Sequence, residues 1–347
     1  MVNLNVGAGM VELVLDSGSS QLSVKGSDCT WRRCDGLGCS SEACPCGRLP
    51  NGELRTDCRE HYYQPTGARL AGQVTEMAYG SQTDTVSQYV DSVSVPVVPT
   101  LACTDIVVTP ASTVDTKSMV PLGEFTVYRV SNIVGFSSSN LLGVARPKGT
   151  GTVVVDKLLN DEKTWGVVMH GGGGWLSLGA LPCFTPTYVP LVTPRAFDDF
   201  VTKFYILNIL SIAVGPSADV LTPVADAPKY CIVDTGTTNT YGSPKLGSAL
   251  HAAGFVESKS VFQLQLGTAR SSFTLRYTST QLQNVEAPKQ SVLEVMPGRT
   301  LSDFTHLFPD KSGGVLLMGA VMMKGFYWEF DMANNRVGLV DLRGHTS

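Results

Sequence analysis

Two short stretches of the chain repeat one pattern: Val14-Leu15-Asp16-Ser17-Gly18-Ser19 near the start, and Ile232-Val233-Asp234-Thr235-Gly236-Thr237 in the second half. In each stretch an aspartate and a Ser/Thr-Gly turn follow an apolar, β-branched run that is typical of the end of a strand. A single stretch of this kind would indicate only a β-turn, whereas two copies indicate one lobe used twice. The duplication predicts two carboxylates that face each other across a pseudo-twofold axis.

A second pair of short sequences follows the two aspartates in the same order. Asn140-Leu141-Leu142-Gly143-Val144 lies downstream of Asp16, and Leu316-Leu317-Met318-Gly319-Ala320 lies downstream of Asp234. Because glycine has no Cβ, each glycine is expected to let the backbone pack closely against the loop that bears the aspartate. We call these two sequences the echo motifs and their glycines, Gly143 and Gly319, the echo glycines. Their repeated order supports the duplicated lobe.

The size and charge of the chain limit the classes of protein to which it could belong. Its 347 residues suffice for two domains of ordinary size or for one large β domain. A net charge of −4 provides no basic surface for nucleic acid or an anionic membrane. No apolar stretch reaches the ~20 residues that a membrane-spanning helix needs. No signal peptide is visible, so the chain is either cytosolic or trimmed at its N-terminus.

Cysteine usage favours a trimmed protein of an oxidising compartment. Six of the nine cysteines crowd the glycine-rich residues 28–60, which show almost no hydrophobic periodicity: Cys29, Cys34, Cys39, Cys44, Cys46 and Cys58. Three disulfides would fit, and the sequence does not choose among their pairings. A zinc knuckle that includes His61 is the disfavoured alternative, because no second compact Cys-x2-Cys or His pair completes a tetrahedral set. The odd total leaves at least one thiol unpaired or bonded elsewhere; the remaining cysteines are Cys103, Cys183 and Cys231.

Most of the chain is predicted to form short strands, because Val, Ile, Thr and Tyr recur in runs broken by Gly, Pro, Ser or Asp. The predicted strands are 11–15, 86–98, 106–109, 152–155, 166–169, 204–214, 262–266, 273–277, 315–318 and 336–340. The predicted helices are 156–163, 195–203 and 245–253, the last placed directly after Pro244. Gly171 to Gly174 is interpreted as a hairpin turn rather than a phosphate cradle, since neither Lys-Ser/Thr nor a helix start follows. An all-β protein with minor helices is expected.

A third pattern accompanies the aspartate loops and the echo motifs. It is the tail Phe326-Tyr-Trp-Glu-Phe-Asp331-Met-Ala-Asn-Asn-Arg-Val-Gly-Leu-Val340. Together these patterns resemble the pepsin-like aspartic proteases over nearly the whole chain. The stretch from Tyr205 to Gly215 and the cysteines after Asp16 are similar to the nepenthesin-like branch. The resemblance implies a bilobal all-β fold with a central cleft and a flap hairpin. It implies an N-terminal lobe at 1–187, with a cysteine-rich insertion at about 28–60 and the flap at about 74–95, and a C-terminal lobe at 188–347.

The resemblance also implies that Asp16 and Asp234 clasp the attacking water and share one proton. The loop residues implied to support these two aspartates are Ser17, Gly18, Ser19, Thr235, Gly236 and Thr237. The two glycines would allow tight turns, and the hydroxyls of Ser19 and Thr237 would donate hydrogen bonds to the outer carboxylate oxygens. Neither a metal nor a cofactor is implied.

A flap is implied at Tyr79-Gly80-Ser81, which stands where the family has Tyr-Gly-Ser/Thr; Asp91-Ser-Val follows where the family often has Asp-Thr-Val. Tyr79 and Ser81 would cover the substrate and exclude water. The chain departs from the family at two positions. Gln82 replaces the second flap glycine, and Ser23 stands where many members have a Trp that hydrogen-bonds the flap Tyr.

The function implied by the resemblance is that of a monomeric aspartic endopeptidase. It would cleave polypeptides at acidic pH beside hydrophobic residues and bind pepstatin-type inhibitors. The chain would be the mature or truncated form of a zymogen from the secretory lumen, a vacuole or lysosome-like compartment, or the extracellular space. The alternative is a protease-shaped binding or inhibitor protein that has lost catalysis. A Ser or Cys nucleophile is poorly supported, because the chain has no Gly-x-Ser-x-Gly elbow and its five histidines lie in no partner motif.

Overall fold

The structure, a computed structural model, describes most of the chain. The described residues are 2–35, 38–44, 47–48, 54–55, 62–69, 74–79, 82–96, 119–134, 140–146, 154–159, 163–170, 173–192, 203–256, 259–278, 281, 293–295 and 314–343. They form mainly strands, and the predicted all-β class is confirmed. The chain divides into two compact units: Met1–Thr100 with Val114–Leu158, and Leu101–Thr113 with Leu159–Ser347. One aspartate loop lies in each unit, and the lobe bounds 1–187 and 188–347 stay a prediction.

Unit 1 is built around one mixed sheet. Its strands are β1 (Val2–Val6), β2 (Gly9–Asp16), β3 (Leu22–Asp35), β4 (Gly38–Ala43), β5 (Gly47–Arg48), β6 (Leu54–Arg55), β7 (Ala68–Arg69), β8 (Thr75–Tyr79), β9 (Gln82–Pro96), β10 (Met119–Val134) and β11 (Leu141–Gly143). The order is β1-β2-β11-β3-β10-β9-β7, with β4 beside β3 and β8 beside β9, while β5 and β6 pair separately. Val11, Leu13 and Leu15 are buried on β2 while Glu12 is exposed, the alternation expected of a strand with one buried face. The core of unit 1 therefore lies against the buried face of β2, and Asp16 is the last residue of this strand.

A short helix, α1 (Val154–Leu159), lies where the sequence predicted a strand at 152–155 and a helix at 156–163. The strand prediction is wrong for Val154 and Val155, and the helix ends at Leu159. The buried side chains of α1 are spaced so that they lie on one face of the helix. They are Val154, Val155, Leu158 and Leu159. The strand predicted at 106–109 lies outside the described residues, as does nearly all of the helix predicted at 195–203.

The described strands of unit 2 form two sheets. Its strands are β12 (Thr164–His170), β13 (Gly173–Leu178), β14 (Thr187–Pro190), β15 (Tyr205–Ser217), β16 (Val220–Pro223), β17 (Tyr230–Val233), β18 (Thr240–Gly242), β19 (Val261–Thr268), β20 (Ser271–Tyr277), β21 (Leu293–Val295), β22 (Val315–Met318), β23 (Phe326–Asp331) and β24 (Arg336–Asp341). The sheets run β13-β12-β23-β24-β14 and β20-β19-β15-β17-β22-β18-β21, with β16 beside β15. The antiparallel pairing of β12 with β13 confirms the hairpin predicted around the glycine run. The aromatic rings of Trp165 and Phe330 stack at 4.0 Å between centroids in the first sheet's core.

The described residues of unit 2 also form the helices α2 (Pro244–Ala252) and α3 (Ala320–Met323). The Ser243 hydroxyl accepts a hydrogen bond from the Leu246 amide at 3.2 Å and caps α2, and Pro244 opens its first turn. The prediction of this helix is confirmed, with its start one residue earlier than expected.

The predicted staple of the cysteine-rich segment is present in part. Cys29 on β3 forms a disulfide with Cys44 after β4, and both cysteines lie in a buried cluster with Trp31. The side chains of the other four cysteines of this segment lie outside the described part of the chain. The interpretation of residues 28–60 as an insertion therefore stays a prediction. Cys183 is disulfide-bonded as well, and Cys231 is a free, buried thiol.

Asp91 on β9 fastens residues 62–69 to the sheet of unit 1. Its carboxylate accepts hydrogen bonds from the Tyr63 hydroxyl at 2.8 Å, the Thr66 amide at 2.8 Å and the Thr66 hydroxyl at 2.6 Å. Burial acts to raise the pKa of this carboxyl, but the hydrogen bonds donated to it outweigh burial and lower the pKa to about 2. The network therefore keeps its charge in acid.

We expect Asp91→Asn to reduce the free energy of unfolding by about 2 kcal/mol near pH 6. The folded pKa lies below the ordinary value of 3.8, so the ionised carboxylate stabilises the fold above pH 4. This stabilisation is lost as the pH falls from about 4 to about 2, and the gap between the two proteins should narrow over that range. Urea unfolding at several pH values measures the gap. The exposed Asp219→Asn variant is the control, and a gap as wide at pH 2 as at pH 6 would contradict this account.

Candidate active site

The first candidate catalytic aspartate is held by the backbone of its own loop. Asp16 is the last residue of β2 and is only 8% exposed. Its Oδ1 accepts a hydrogen bond from the Gly18 amide at 2.8 Å, and its carbonyl accepts one from the Val144 amide at 2.8 Å. Ser17 and Ser19 on either side of the glycine are buried. The carboxyl group is thus fixed by a turn that the Ser-Gly sequence favours.

The second candidate aspartate has the same backbone contact and one more. Asp234 directly follows β17 and is half-buried, and its Oδ1 accepts a hydrogen bond from the Gly236 amide at 3.0 Å. The Thr237 hydroxyl donates to the other carboxylate oxygen, Oδ2, at 2.6 Å. Thr235 is buried beside it. The two carboxylate oxygens of Asp234 therefore have separate donors, one from the backbone and one from a side chain.

The hydrogen bond predicted from Ser19 to the first aspartate is absent from the described structure. The Ser19 side chain is 4% exposed, and its hydroxyl has no hydrogen-bond partner among the described residues. Thr237 differs by a β-methyl group, which restricts its χ1 rotamers, whereas a serine hydroxyl turns more freely. The two loops therefore share a backbone arrangement and differ in the hydroxyl that follows the glycine.

A parallel strand lies beside each aspartate loop: β11 ends at the glycine of the first echo motif, and β22 ends one residue before the glycine of the second. On β11, Gly143 pairs with Asp16, and a Cβ placed on it would lie 2.7 Å from the Ser19 carbonyl oxygen. In the second half β22 runs parallel to β17, and a Cβ on the next residue, Gly319, would lie 2.7 Å from the Thr237 carbonyl oxygen. Contacts this short exclude any side chain. The close packing predicted for both glycines is confirmed.

Main-chain hydrogen bonds recur at the same acceptor position of the two loops, with a donor two residues after Gly143 and one residue after Gly319. The Ala145 amide donates to the Ser19 carbonyl at 2.7 Å, and the Ala320 amide donates to the Thr237 carbonyl at 2.7 Å. Ser19 and Thr237 occupy the same place relative to their aspartates. The repeat read from the sequence is therefore a repeat of local structure, with one copy in each unit.

Two polar side chains that support these loops were not predicted. The Asn140 side chain accepts a hydrogen bond from the Lys25 amide at 2.9 Å and donates one to the Glu12 carbonyl at 2.9 Å. The Thr240 hydroxyl accepts a hydrogen bond from the Gly319 amide at 3.1 Å. Asn140 belongs to the echo motif, but no local pattern shows that its amide bridges two strands.

The hairpin of β8 and β9 occupies the region predicted as the flap. The two strands are antiparallel, and Tyr79 pairs with Gln82 at the tip. Gly80, Ser81 and the side chain of Tyr79 lie outside the described residues, so the flap roles of these three residues stay predictions. Ser23, which stands where many family members have Trp, is buried on β3.

No metal-binding group was found in the described part of the chain. Within those residues no three or more His, Cys, Asp or Glu side chains converge in a way that could hold a metal ion. Among the described helices, none combines the length and apolar character needed to cross a membrane.

Comparison with known families matches the second half of the chain. Residues 183–342 match the model of the family described as eukaryotic aspartyl protease. The matched segment contains the Asp234 loop, Gly319 and the tail that begins at Phe326, and it confirms the resemblance for this part of the chain. Asp16 and the β8–β9 hairpin lie before it. No curated protein matches the chain.

Proposed function

We propose that the whole chain is an aspartic endopeptidase in which Asp16 and Asp234 activate a water molecule between them, since residues 183–342 match the model of the eukaryotic aspartyl protease family. The observation that carries this proposal is the equivalence of the two loops. Each presents a carboxylate that accepts a hydrogen bond from the amide two residues on, and each packs its backbone against a glycine where no side chain fits. A β-turn without a functional role would not be expected to occur twice with the same hydrogen bond and the same packing against a glycine.

The proposed mechanism needs one carboxylate and one carboxylic acid. Two carboxyl groups within hydrogen-bond distance hold a single proton over a broad pH range, because both cannot be ionised side by side. The carboxylate takes a proton from water as the oxygen attacks the carbonyl carbon of the peptide, and the carboxylic acid gives its proton to the carbonyl oxygen. The tetrahedral intermediate then breaks its C–N bond: the leaving nitrogen receives the proton that the first carboxylate took from water, and the second carboxylate takes a proton back from a hydroxyl of the intermediate, so that the pair again holds one proton. The Gly18 and Gly236 amides hold the two carboxyl groups in position throughout.

The substrates of this enzyme would be polypeptides, cleaved in acid between hydrophobic side chains, and pepstatin-type inhibitors would bind the same site. The Cys29–Cys44 disulfide supports an oxidising location: the secretory lumen, a vacuole or lysosome-like compartment, or the extracellular space. The low pKa of Asp91 supports a hydrogen-bond network at residues 62–69 that keeps its charge in acid. A monomer processed from a zymogen is the proposed active form.

Digestion of a denatured protein over a range of pH, with and without pepstatin, tests the proposed function. We expect cleavage that is strongest in acid, is blocked by pepstatin and is unaffected by a metal chelator or a serine-protease inhibitor. Mass spectrometry of the products would give the residues around each cleaved bond. A folded protein that cleaves nothing at any pH would contradict the proposal.

The alternative function is that of a protease-like binding or inhibitor protein. The first loop favours this alternative, because the Ser19 hydroxyl lacks the hydrogen bond to aspartate that Thr237 makes in the second loop. Binding of immobilised pepstatin without any peptide hydrolysis would support it.

The difference between the two hydroxyls gives a matched pair of variants. We expect Thr237→Val to lower kcat roughly tenfold or more, because a hydrogen bond to a charged group contributes about 1.5–3 kcal/mol and this one is partly shielded from water. Ser19→Ala removes a hydroxyl that has no partner, and we expect kcat to change less than about threefold. Steady-state kinetics on one peptide substrate compares the variants. Equal losses in the two variants would show that Ser19 reaches Asp16 in the working enzyme.

A further inference from the structure

The short helix α3 follows the second echo motif and contacts the Asp234 loop through its first two amides. The Ala320 amide donates a hydrogen bond to the Thr237 carbonyl at 2.7 Å, and the Val321 amide donates one to the Thr238 carbonyl at 3.1 Å. Thr237 is also the residue whose hydroxyl donates to Asp234 Oδ2 at 2.6 Å. The position of α3 therefore bears on the carboxylate through one main-chain contact and one side-chain hydrogen bond.

The other end of α3 accepts two hydrogen bonds from aromatic side chains. The Tyr277 hydroxyl donates to the Met322 carbonyl at 2.5 Å, and Nε1 of the Trp328 indole donates to the Met323 carbonyl at 3.2 Å. The last carbonyls of a helix have no donor within the helix, and α3 has only four residues. The two buried side chains therefore supply donors that the main chain of α3 cannot provide.

The two aromatic donors come from different sheets of unit 2. Tyr277 is the last residue of β20 in the second sheet, whereas Trp328 lies within β23 of the first. Trp328 pairs with Val167 on β12 and with Leu339 on β24, so it is held from both sides. The Tyr277 ring meets the Phe326 ring edge-on, with 5.9 Å between centroids. The end of α3 is thus fixed against both sheets.

Apolar packing alone would position α3 less sharply. Its buried side chains are Val321, Met322 and Met323, and methionine adapts to many packing arrangements because its side chain is unbranched and flexible. Tyrosine and tryptophan have few side-chain torsions, and Tyr277 and Trp328 are at most 2% exposed. A hydrogen bond from a rigid, buried group fixes the distance and the direction of its acceptor. The aromatic donors therefore define where the helix ends.

We propose that Tyr277 and Trp328 are positioning residues for Asp234. Their hydrogen bonds hold one end of α3, and the amides at its other end hold the main chain from which Thr237 donates to the carboxylate. Buried tyrosine and tryptophan side chains need an acceptor in any protein. This pair is distinguished by its choice of adjacent carbonyls on the helix that supports the aspartate loop. The catalytic consequence rests on the proposed function, whereas the support of the loop does not.

Loss of the Tyr277 hydroxyl would act on the reaction through the Thr237 hydrogen bond. Without this donor α3 can shift, and the bond from Thr237 to Asp234 lengthens. A hydrogen bond donated to a carboxylate favours the ionised form, so a longer bond makes the coupled pair of carboxyl groups release its proton at higher pH. The acid limb of the kcat/KM profile reports this ionisation in the free enzyme. It should therefore move to higher pH.

Tyr277→Phe tests the proposal, because it keeps the ring and removes only the hydroxyl. We expect kcat for one peptide substrate to fall about three- to tenfold with KM within about twofold, and the acid limb to move up by about half a pH unit. Tyr188→Phe is the control, since it removes a half-buried hydroxyl of unit 2 whose acceptor is Glu329. It should keep kcat within about twofold and the wild-type pH profile. An unmoved acid limb in Tyr277→Phe would leave the hydroxyl a structural role only and overturn the proposal.

A double variant tests the route from the hydroxyl to the carboxylate. If Tyr277 acts through the Thr237 hydroxyl, adding Tyr277→Phe to Thr237→Val should lower kcat by no more than about twofold beyond Thr237→Val alone. Two residues that act independently would instead multiply their losses, and this result would overturn the proposal.

Hydrogen exchange of the Ala320 and Val321 amides tests the support of the loop without any substrate. We expect at least fivefold faster exchange of both amides in Tyr277→Phe and wild-type rates in Tyr188→Phe. Unchanged rates in Tyr277→Phe would overturn the proposal. Trp328→Phe removes the second donor and should act in the same direction; it replaces Tyr277→Phe in every measurement if that variant does not fold. A wild-type protein that hydrolyses nothing overturns the proposed function, while the exchange rates still decide whether the aromatic donors hold α3.

Discussion

Asp16→Asn and Asp234→Asn should each lower kcat for peptide hydrolysis by at least roughly a thousandfold and leave folding nearly unchanged. An amide matches the carboxylate in shape and still accepts the Gly18 or Gly236 hydrogen bond through its oxygen, so the loops should keep their conformation. It can neither take a proton from water nor give one to the carbonyl oxygen. Because the two groups act as one unit, the double variant should be little worse than either single variant.

The measurement is steady-state hydrolysis of one peptide at acidic pH, with and without pepstatin. Asp219→Asn, an exposed aspartate in the turn between β15 and β16, controls for the loss of one negative charge. Urea unfolding of each variant checks that the fold survives. Pepstatin-sensitive turnover that persists in both single variants would rule out these aspartates as the catalytic pair.

The aspartate loops could be predicted from the sequence because everything that forms them is local or repeated. An apolar strand, an aspartate and a Ser/Thr-Gly turn specify the position of the carboxyl group, and each echo motif supplies the glycine that lies against it. The repeat made the prediction stronger, because two copies of the pattern in the same order are far less expected by chance than one. The sequence could not show which of the two hydroxyls, Ser19 or Thr237, hydrogen-bonds to its aspartate, because side-chain rotamers depend on the surrounding structure.

The strands of unit 1 that the sequence did not reveal are stabilised by distant partners. β3 runs through the polar stretch from Lys25 to Asp35, and β10 contains Pro121 and Gly123, both poor strand residues. β10 pairs with β9 along nearly its whole length and with β3 on its other side. Non-local pairing of this kind overrides local propensity.

Gln82, Asp84 and Lys25 are buried on one face of the sheet of unit 1, and this could not be predicted for the same reason. Gln82 and Asp84 are close in sequence, but Lys25 reaches their face through two strand registers. The sequence showed only that Gln82 departs from the family pattern. The structure shows that its side-chain amide donates a hydrogen bond to Asp84.

Gly143→Ala and Gly319→Ala should each destabilise their unit by about 3 kcal/mol and lower kcat/KM by roughly a hundredfold in the protein that still folds. A Cβ on Gly319 would lie 2.2 Å from the Asn239 carbonyl oxygen, and one on Gly143 would lie 2.4 Å from the Gln21 amide nitrogen. These neighbours are backbone atoms, so the aspartate loop itself must move. A shift of about 1 Å in a catalytic group is enough for the loss of activity.

Gly254→Ala separates this steric effect from the conformational freedom of glycine. Gly254 has a φ of +83° and nothing within 4 Å of a new Cβ, whereas the φ of Gly319 is −91°, which alanine adopts readily. We expect Gly254→Ala to cost about 1 kcal/mol through backbone strain and to leave kcat/KM within about twofold. Urea unfolding and peptide kinetics on the three variants measure both effects. If the echo glycines were needed only for their dihedral angles, Gly319→Ala would be the mildest of the three, and the close packing of backbone against the aspartate loop would have no role in catalysis.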